Sequence, residues 1–382
     1  MTPPVHIIIF GPSEKFLSGI SYYTIRLSNA LAEKTDVTAI LFRHMLPEKL
    51  FPGWKRVGSK LTNLTFSDHV KTHEILDWYN PISWLRAYRI AKKGNIILFE
   101  WWTSSIAIMY LVIALLNLKR IPIIIEYHEV VDPIEQANKV LHGYSRCAGF
   151  FLRKLSAHFI VHSEADKRLI AHTYKIDDKR IEVIPHGLYD HYQQIDRNIA
   201  KSQLNVKEDF VILFFGLLRP YKGLKYLIKA FESLPESILQ KSRLIIAGEP
   251  WEDQESLTLF NQSPVKSKIT LIGRYINDEE ISVIFSSAHV LVIPYTRASQ
   301  SGVAHIGMRF GIPIIATRVG GLEESLEKYD GTIFIDPKSS DELKSALIRA
   351  SLNTINYNPP NELKWDVISN AWIGSINNIL KK

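Results

Sequence analysis

One cysteine, Cys147, stands among 382 residues. No internal disulfide can form, and the fold must hold by burial alone. A lone thiol suits a reducing compartment, and Cys147 is expected as a small packed or half-exposed residue, not a nucleophile. Long apolar runs are missing too. The longest, Ile106 to Leu116, is eleven residues, against the ~20 that a membrane-spanning helix needs. It is expected to be a buried helix between two strands, with shallow membrane contact as the other option. Met1-Thr2-Pro3-Pro4 leads straight into a strand, so no secretory leader is expected. That points to a cytoplasmic location, with attachment to the cytoplasmic face of a membrane as an extension of it. Zinc-ligand spacings, a Walker loop, HExxH and G-x-S-x-G are all absent, and with them the commonest metal, nucleotide-hydrolysing and acyl-transfer chemistries.

What is present is a globular composition, 46% hydrophobic and 22% charged, in a chain long enough for two domains. Apolar runs at Val5–Phe10, Val37–Leu41, Ile96–Phe99, Ile121–Glu126, Phe159–His162 and Ile181–Ile184 alternate with helical stretches. Such alternation predicts a parallel sheet with helices on both faces. Residues 43–80 read as irregular. The pattern restarts with Phe210–Phe215 and continues through Arg243–Ala247, Ile269–Ile272, Val290–Ile293 and Pro313–Ala316. The predicted domains are 1–190, joined by an end helix over 362–382, and 191–361.

Charge is uneven. The first 190 residues hold 24 Lys and Arg against 18 Asp and Glu, a net +6 of the chain's +7. Arg43, Lys49, Lys55, Arg56 and Lys60 interleave with Phe42, Phe51 and Trp54. Basic residues mixed with aromatics suit anionic lipid headgroups, an anionic acceptor or nucleic acid. No nucleic-acid motif supports the last, so no nucleic-acid partner is expected.

Two segments of the second half carry the chemistry. One is Phe214-Phe215-Gly216-Leu217-Leu218-Arg219-Pro220-Tyr221-Lys222-Gly223. The other runs from Pro294-Tyr295 through Ser299-Gln300-Ser301-Gly302 to Gly311-Ile312-Pro313, then Val319-Gly320-Gly321. Each reads as strand, glycine-bearing loop and helix start, an arrangement that offers free amides and partial positive charge to a phosphate. Arg219 and Lys222 add full charges suited to a diphosphate.

The segment 214–223 resembles the donor-binding signature of the family 4 glycosyltransferases. Gly19, His128, Ile184-Pro185-His186-Gly187 and Val319-Gly320-Gly321 follow in the family's order over nearly the whole chain. The resemblance implies the GT-B fold: two Rossmann-like α/β domains facing a cleft, with the last helix crossing back to the first domain. It implies transfer of a hexose, with retention, from a nucleotide-diphosphate sugar to an acceptor hydroxyl on a glycan or lipid-linked carrier. His128, Arg219 and Lys222 become the catalytic candidates. Gly19, Gly216, Glu249, Arg274, Tyr275, Ser299, Gln300, Ser301 and Gly302 become the donor-binding ones. His186 is expected to pack at the junction, and Glu323 and Glu324 to be acids early in a helix. No Asp-x-Asp occurs, so a metal-independent reaction without cofactor is expected, with Arg, Lys and helix ends stabilising the leaving diphosphate. The family's two glutamates would fall at Ala298 and Ile306, so both are absent. That leaves two alternatives open on the same fold: a non-catalytic nucleotide-sugar-binding protein and a nucleotide-sugar epimerase.

Overall fold

The computed structural model describes residues 5–16, 19–44, 62–130, 139–298, 301–352 and 355–381. Of the basic and aromatic stretch, Phe42 and Arg43 are described, and Lys49, Phe51, Trp54, Lys55, Arg56 and Lys60 lie outside. The chain forms two compact units, Met1–Gly187 with Glu362–Lys382, and Leu188–Asn361.

Unit 1 is built on strands β1 (His6–Gly11), β2 (Asp36–His44), β3 (Val70–Asp77), β4 (Ile96–Trp101), β5 (Ile123–Tyr127), β6 (His158–Val161) and β7 (Ile181–Val183). They form one parallel sheet in the order β3-β2-β1-β4-β5-β6-β7. Ile7, Ile8, Ile9 and Phe10 are fully buried, because helices cover both faces and a continuous apolar run is what such a strand needs. β3 corrects the reading of 43–80 as irregular. As the edge strand it keeps Lys71, Thr72 and His73 exposed and buries Val70 and Leu76, so it shows no apolar run. The helix Pro81–Ala91 follows it, started by Asn80, whose Oδ1 accepts from the Ile82 amide, and by Pro81 at the first turn. The Ile106–Leu116 run becomes the helix Ala107–Leu116. Among the described residues no helix is long and apolar enough to cross a membrane.

The last helix, Trp365–Leu380, belongs to unit 1. Trp365, Ile368, Trp372 and Ile376 recur at helical spacing and join Tyr23, Leu27 and Leu31 in one core cluster. Lys34 Nζ fastens it, at 2.6 Å from Asn370 Oδ1 and 3.1 Å from the Asp366 carbonyl. Gly187 admits the Trp365 ring, since a Cβ there would stand 2.5 Å from Trp365 Cε2.

Unit 2 is built on β8 (Phe210–Phe215), β9 (Ser242–Ala247), β10 (Ile269–Ile272), β11 (Val290–Ile293), β12 (Ile314–Thr317) and β13 (Thr332–Ile335). Its parallel sheet has the order β10-β9-β8-β11-β12-β13. The chain runs outward from β8 to β10 and then returns to start β11 on the other side of β8. This reversal is a topological switch point, where open α/β sheets bind ligands beyond the strands' carboxyl ends.

His289 ties the start of β11 to β8. Its backbone amide donates to the Val211 carbonyl (2.8 Å), and its Nδ1 accepts from the Val211 amide (3.1 Å). Burial lowers its pKa to about 4, helped by the charges of Arg197 and Lys201. A histidine that protonates more readily in the unfolded chain costs stability in acid. The contribution is whole above about pH 6.5 and is lost as pH falls toward about 4. Denaturant titrations across that window should show a steeper loss for the wild type than for His289→Asn, and equal slopes would contradict this assignment.

Candidate functional site

The loops after β8, β9 and β11 converge at the switch point. Gly248, after β9, lies against Gly216, after β8: a Cβ on Gly248 would meet the Gly216 carbonyl oxygen at 2.0 Å. Farther along, the Leu218 amide donates to the Glu249 carbonyl (2.9 Å) and the Trp251 amide to the Leu218 carbonyl (2.9 Å). The β11 loop is tied in through Thr296, whose amide donates to the Tyr221 carbonyl at 2.7 Å. Gly223 closes the junction. Its φ is +70°, and a Cβ there would lie 2.0 Å from the Pro294 carbonyl oxygen. Only glycine combines that left-handed geometry with that approach.

Lys222 lies across this junction. Only 9% of the residue is exposed. Its Nζ sits 2.6 Å from where a Gly216 Cβ would stand, and 5.4 Å from the centre of the Tyr295 ring. No carboxylate among the described residues forms an ion pair with it. Burial lowers its pKa, and the Arg219 charge adds to the fall against an opposing effect of Tyr221. Arg219 is half-buried, and its Nε has no hydrogen-bond partner among the described residues. Two cations held near each other without an acid describe a place prepared for an anion.

The free amides come from the second segment. In the first, the amides of Gly216, Leu218, Lys222 and Gly223 all donate to carbonyls of the chain itself. The helix Gly302–Arg309 starts beside Gly216, whose missing Cβ would stand 3.5 Å from Val303 Cγ2. Ser301 is its N-cap, taking the Ala304 amide at 3.4 Å. The Gly302 and Val303 amides carry no hydrogen bond among the described residues. Helix start and Lys222 thus bring partial and full positive charge close to Gly216. The sequence reading assigned no role to Val303 or Tyr295; their part follows from the β8–β11 pairing.

Other predicted residues stand differently. Ser299 and Gln300 lie outside the described residues. Arg274 is exposed and held by Glu280, with Nη1 2.8 Å from Oε2 and a second bond from Nη2 to Oε1. Glu280 itself belongs to the capping box that Asn277 forms for the helix Asp278–Ser287. The Arg274 charge is therefore spent locally. Tyr275 follows it, half-buried. Glu249 contributes its backbone carbonyl to the junction. Ile306 is buried and Ala298 faces Gly320, whose Cβ would meet the Ala298 carbonyl oxygen at 1.9 Å. Glu323 pairs with Arg318 in the first turn of the helix Gly321–Leu326.

In unit 1, Gly19 is exposed and begins the helix Gly19–Ala32. His128 follows β5, with 7% of its side chain exposed. Its Nε2 faces inward, 4.0 Å from Glu126 Oε2. His162, after β6, brings its Nε2 to 3.6 Å from Glu126 Oε1. Burial pushes the His128 pKa well down, and His162 adds to that; burial pushes His162 down to about 4. Burial raises the carboxyls of Glu126 and, beside it, Glu100. His186 packs its ring on Tyr23, centroids 4.6 Å apart.

Residues 17–190 match Glycosyltransferase Family 4, and residues 195–364 match Glycosyl transferases group 1. An uncharacterized glycosyltransferase of Methanocaldococcus jannaschii is 27% identical over 196 residues, 49% of this chain and 49% of that protein. The chain thus matches about half the length of that relative. A second one from the same organism is 21% identical over 351 residues, covering 90% and 89%. The Anabaena protein HepE, crystallised with UDP and glucose, has the same fold: TM-score 0.68 at 15% identity, over 99% of this chain and 97% of that one. With both halves matched in order and the paired parallel sheets of GT-B, the chain belongs to the family 4 glycosyltransferases.

Proposed function

We propose that the protein moves a hexose from a nucleoside-diphosphate sugar to an acceptor hydroxyl, with retention and without a metal at the leaving group. One observation carries this: a buried lysine with no acid partner stands close to a helix start whose first two amides are unpaired among the described residues. The diphosphate sits on Gly302 and Val303, with Lys222 and Arg219 offsetting the charge that develops on the departing oxygen. Gly216 lets the phosphates approach the backbone. A donor phosphate oxygen takes the acceptor proton, so no protein nucleophile is needed. His128 stays a catalytic candidate through the family resemblance alone, since its Nε2 is turned to Glu126. HepE was crystallised with UDP and glucose, which makes uridine diphosphate sugars the first donors to try.

We propose that the acceptor lies at a membrane surface. Phe150, Phe151 and Leu155 are exposed on the helix Lys139–Leu155, and Leu115 and Leu118 are exposed near the end of Ala107–Leu116. Arg146, Lys154, Lys119 and Arg120 accompany them. Apolar side chains among cations suit an anionic lipid interface. Vesicles containing phosphatidylglycerol should sediment the protein at low salt and release part of it at high salt. Failure to bind would point to a dissolved acceptor.

The central test is a thermal-shift panel of nucleotides and nucleotide sugars, followed by mass spectrometry of products. A bound donor raises the melting temperature by mass action. Transfer should proceed at the same rate with and without added magnesium. A strict magnesium requirement would contradict the leaving-group assignment. Donor conversion without an acceptor would make the protein an epimerase, and binding with no turnover would make it a carrier.

A further inference from the structure

Unit 1 holds a cluster of titratable side chains of its own. Glu126 lies in β5, His128 just beyond it and His162 just beyond β6. The parallel pairing of Ile124 with His158 and Glu126 with Ile160 brings those strand ends side by side. One ligand atom from each of the three residues lies within 4.8 Å of the others.

Three atoms there lack hydrogen-bond partners among the described residues: Glu126 Oε2, His128 Nε2 and His162 Nε2. The Glu126 side chain is fully buried and that of His162 is 2% exposed. A buried polar atom left unpaired is costly, and three converging on one point require a common partner. Charge argues the same way. Glu100 faces Glu126 across the β4–β5 pairing and is also fully buried. Neither carboxylate pairs with a lysine or arginine among the described residues. Ionising either acid here would call for a bound cation.

The surrounding contacts aim these groups. His162 Nδ1 lies 2.9 Å from the Ile184 carbonyl, which places the proton on Nδ1 and leaves the Nε2 lone pair pointing inward. The Tyr23 hydroxyl donates to Glu126 Oε1 at 2.5 Å and leaves Oε2 available. Its ring also stands edge-on to His128 and His162, with centroids 4.8 Å and 5.3 Å away. Fixed tautomers and hydrogen-bonded carboxylates are what metal ligands receive from their neighbours.

We infer that Glu126, His128 and His162 bind one divalent transition-metal ion of the zinc class, with water completing the coordination. Two imidazoles and one carboxylate suit zinc over magnesium or calcium, which prefer all-oxygen sets. Ligands about 2.1 Å from a common tetrahedral ion lie about 3.4 Å apart. Glu126 Oε2 and His128 Nε2 stand 4.0 Å apart, and all three ligand atoms lie within 4.8 Å of one another, so coordination needs an inward movement of about 1 Å. The ion would hold the ends of β5 and β6 together and fix the ring of His128. This inference is independent of whether the protein transfers sugar.

The test is elemental analysis of the full-length chain, made without a metal-binding tag, loaded with zinc and gel-filtered. About one zinc per chain is expected, replaceable by cobalt(II) with the visible absorption of tetrahedral coordination. His162→Gln and Glu126→Gln should each lower retained metal at least ~10-fold, whereas His158→Gln, whose ring pairs instead with Glu182 at 3.4 Å, should keep it. The wild type decides the matter even if a variant fails to fold. Folded wild-type chain that retains neither zinc nor cobalt after loading overturns the proposal, and the three atoms then share water or protons. Metal that His162→Gln and Glu126→Gln both keep in full, in folded protein, overturns it equally.

Discussion

Lys222→Met should cut turnover at saturating donor about 10²-fold while leaving the free protein at least as stable as the wild type. The two effects have opposite physical sources. In the free protein the ammonium group is buried with no carboxylate beside it, a desolvation cost that methionine removes while keeping the apolar stem. In the proposed reaction the same ammonium stands beside the helix start where the diphosphate would depart, and losing one such stabiliser costs on the order of 10²–10³ in rate. A lysine kept only for packing would show the reverse, with lower stability and normal turnover. Rate and denaturation midpoint measured on the same preparation separate the two. The proposal for Lys222 fails if turnover is unchanged, whichever way the midpoint moves. Arg219→Met should have a smaller effect, because Arg219 is only half-buried and its charge is partly screened by solvent.

The sheets were legible because buried parallel strands need continuous apolar runs. Phe210–Phe215 and Val290–Ile293 come from the sequence with the bounds that the structure has. β3 was not legible, because an edge strand shows solvent the residues Lys71, Thr72 and His73 and so imitates a loop. The Lys222 loop could be read from its glycines and cations. Which amides stay free could not, since that depends on the carbonyls of Ala247, Glu249, Arg219 and Pro220 taking those of the first loop. The partner of Arg274 was not read from the sequence: Glu280, six residues on, takes its guanidinium. The Glu126–His128–His162 cluster has no local signature. Its third member sits a whole crossover away, and only the β5–β6 pairing brings it in. Spacing rules for metal ligands therefore pass over it.

Gly223→Ala should lower the melting temperature of unit 2 by roughly 10 °C, the shift expected for a loss of about 3 kcal/mol in a unit of this size. It should also weaken donor binding at least ~10-fold by displacing Lys222. Two terms add. A side chain at φ +70° costs about 1 kcal/mol relative to glycine. The new Cβ would also stand 2.0 Å from the Pro294 carbonyl oxygen, so the 220–223 turn must move away from the β11 loop. That movement is not confined to one residue. Thr296 donates its amide and hydroxyl to the Tyr221 carbonyl, and Lys222 is the residue between. The control is Gly374→Ala in the exposed middle of Trp365–Leu380, where an added Cβ meets nothing within 4 Å. There alanine should stabilise unit 1 by about 0.5–1 kcal/mol through helix propensity alone. Opposite signs from the same substitution would show that Gly223 is set by the meeting of two loops. If Gly223→Ala matched the control in stability and bound donor normally, the close junction that positions Lys222 would have no energetic weight, and the donor site would have to be rebuilt around other residues.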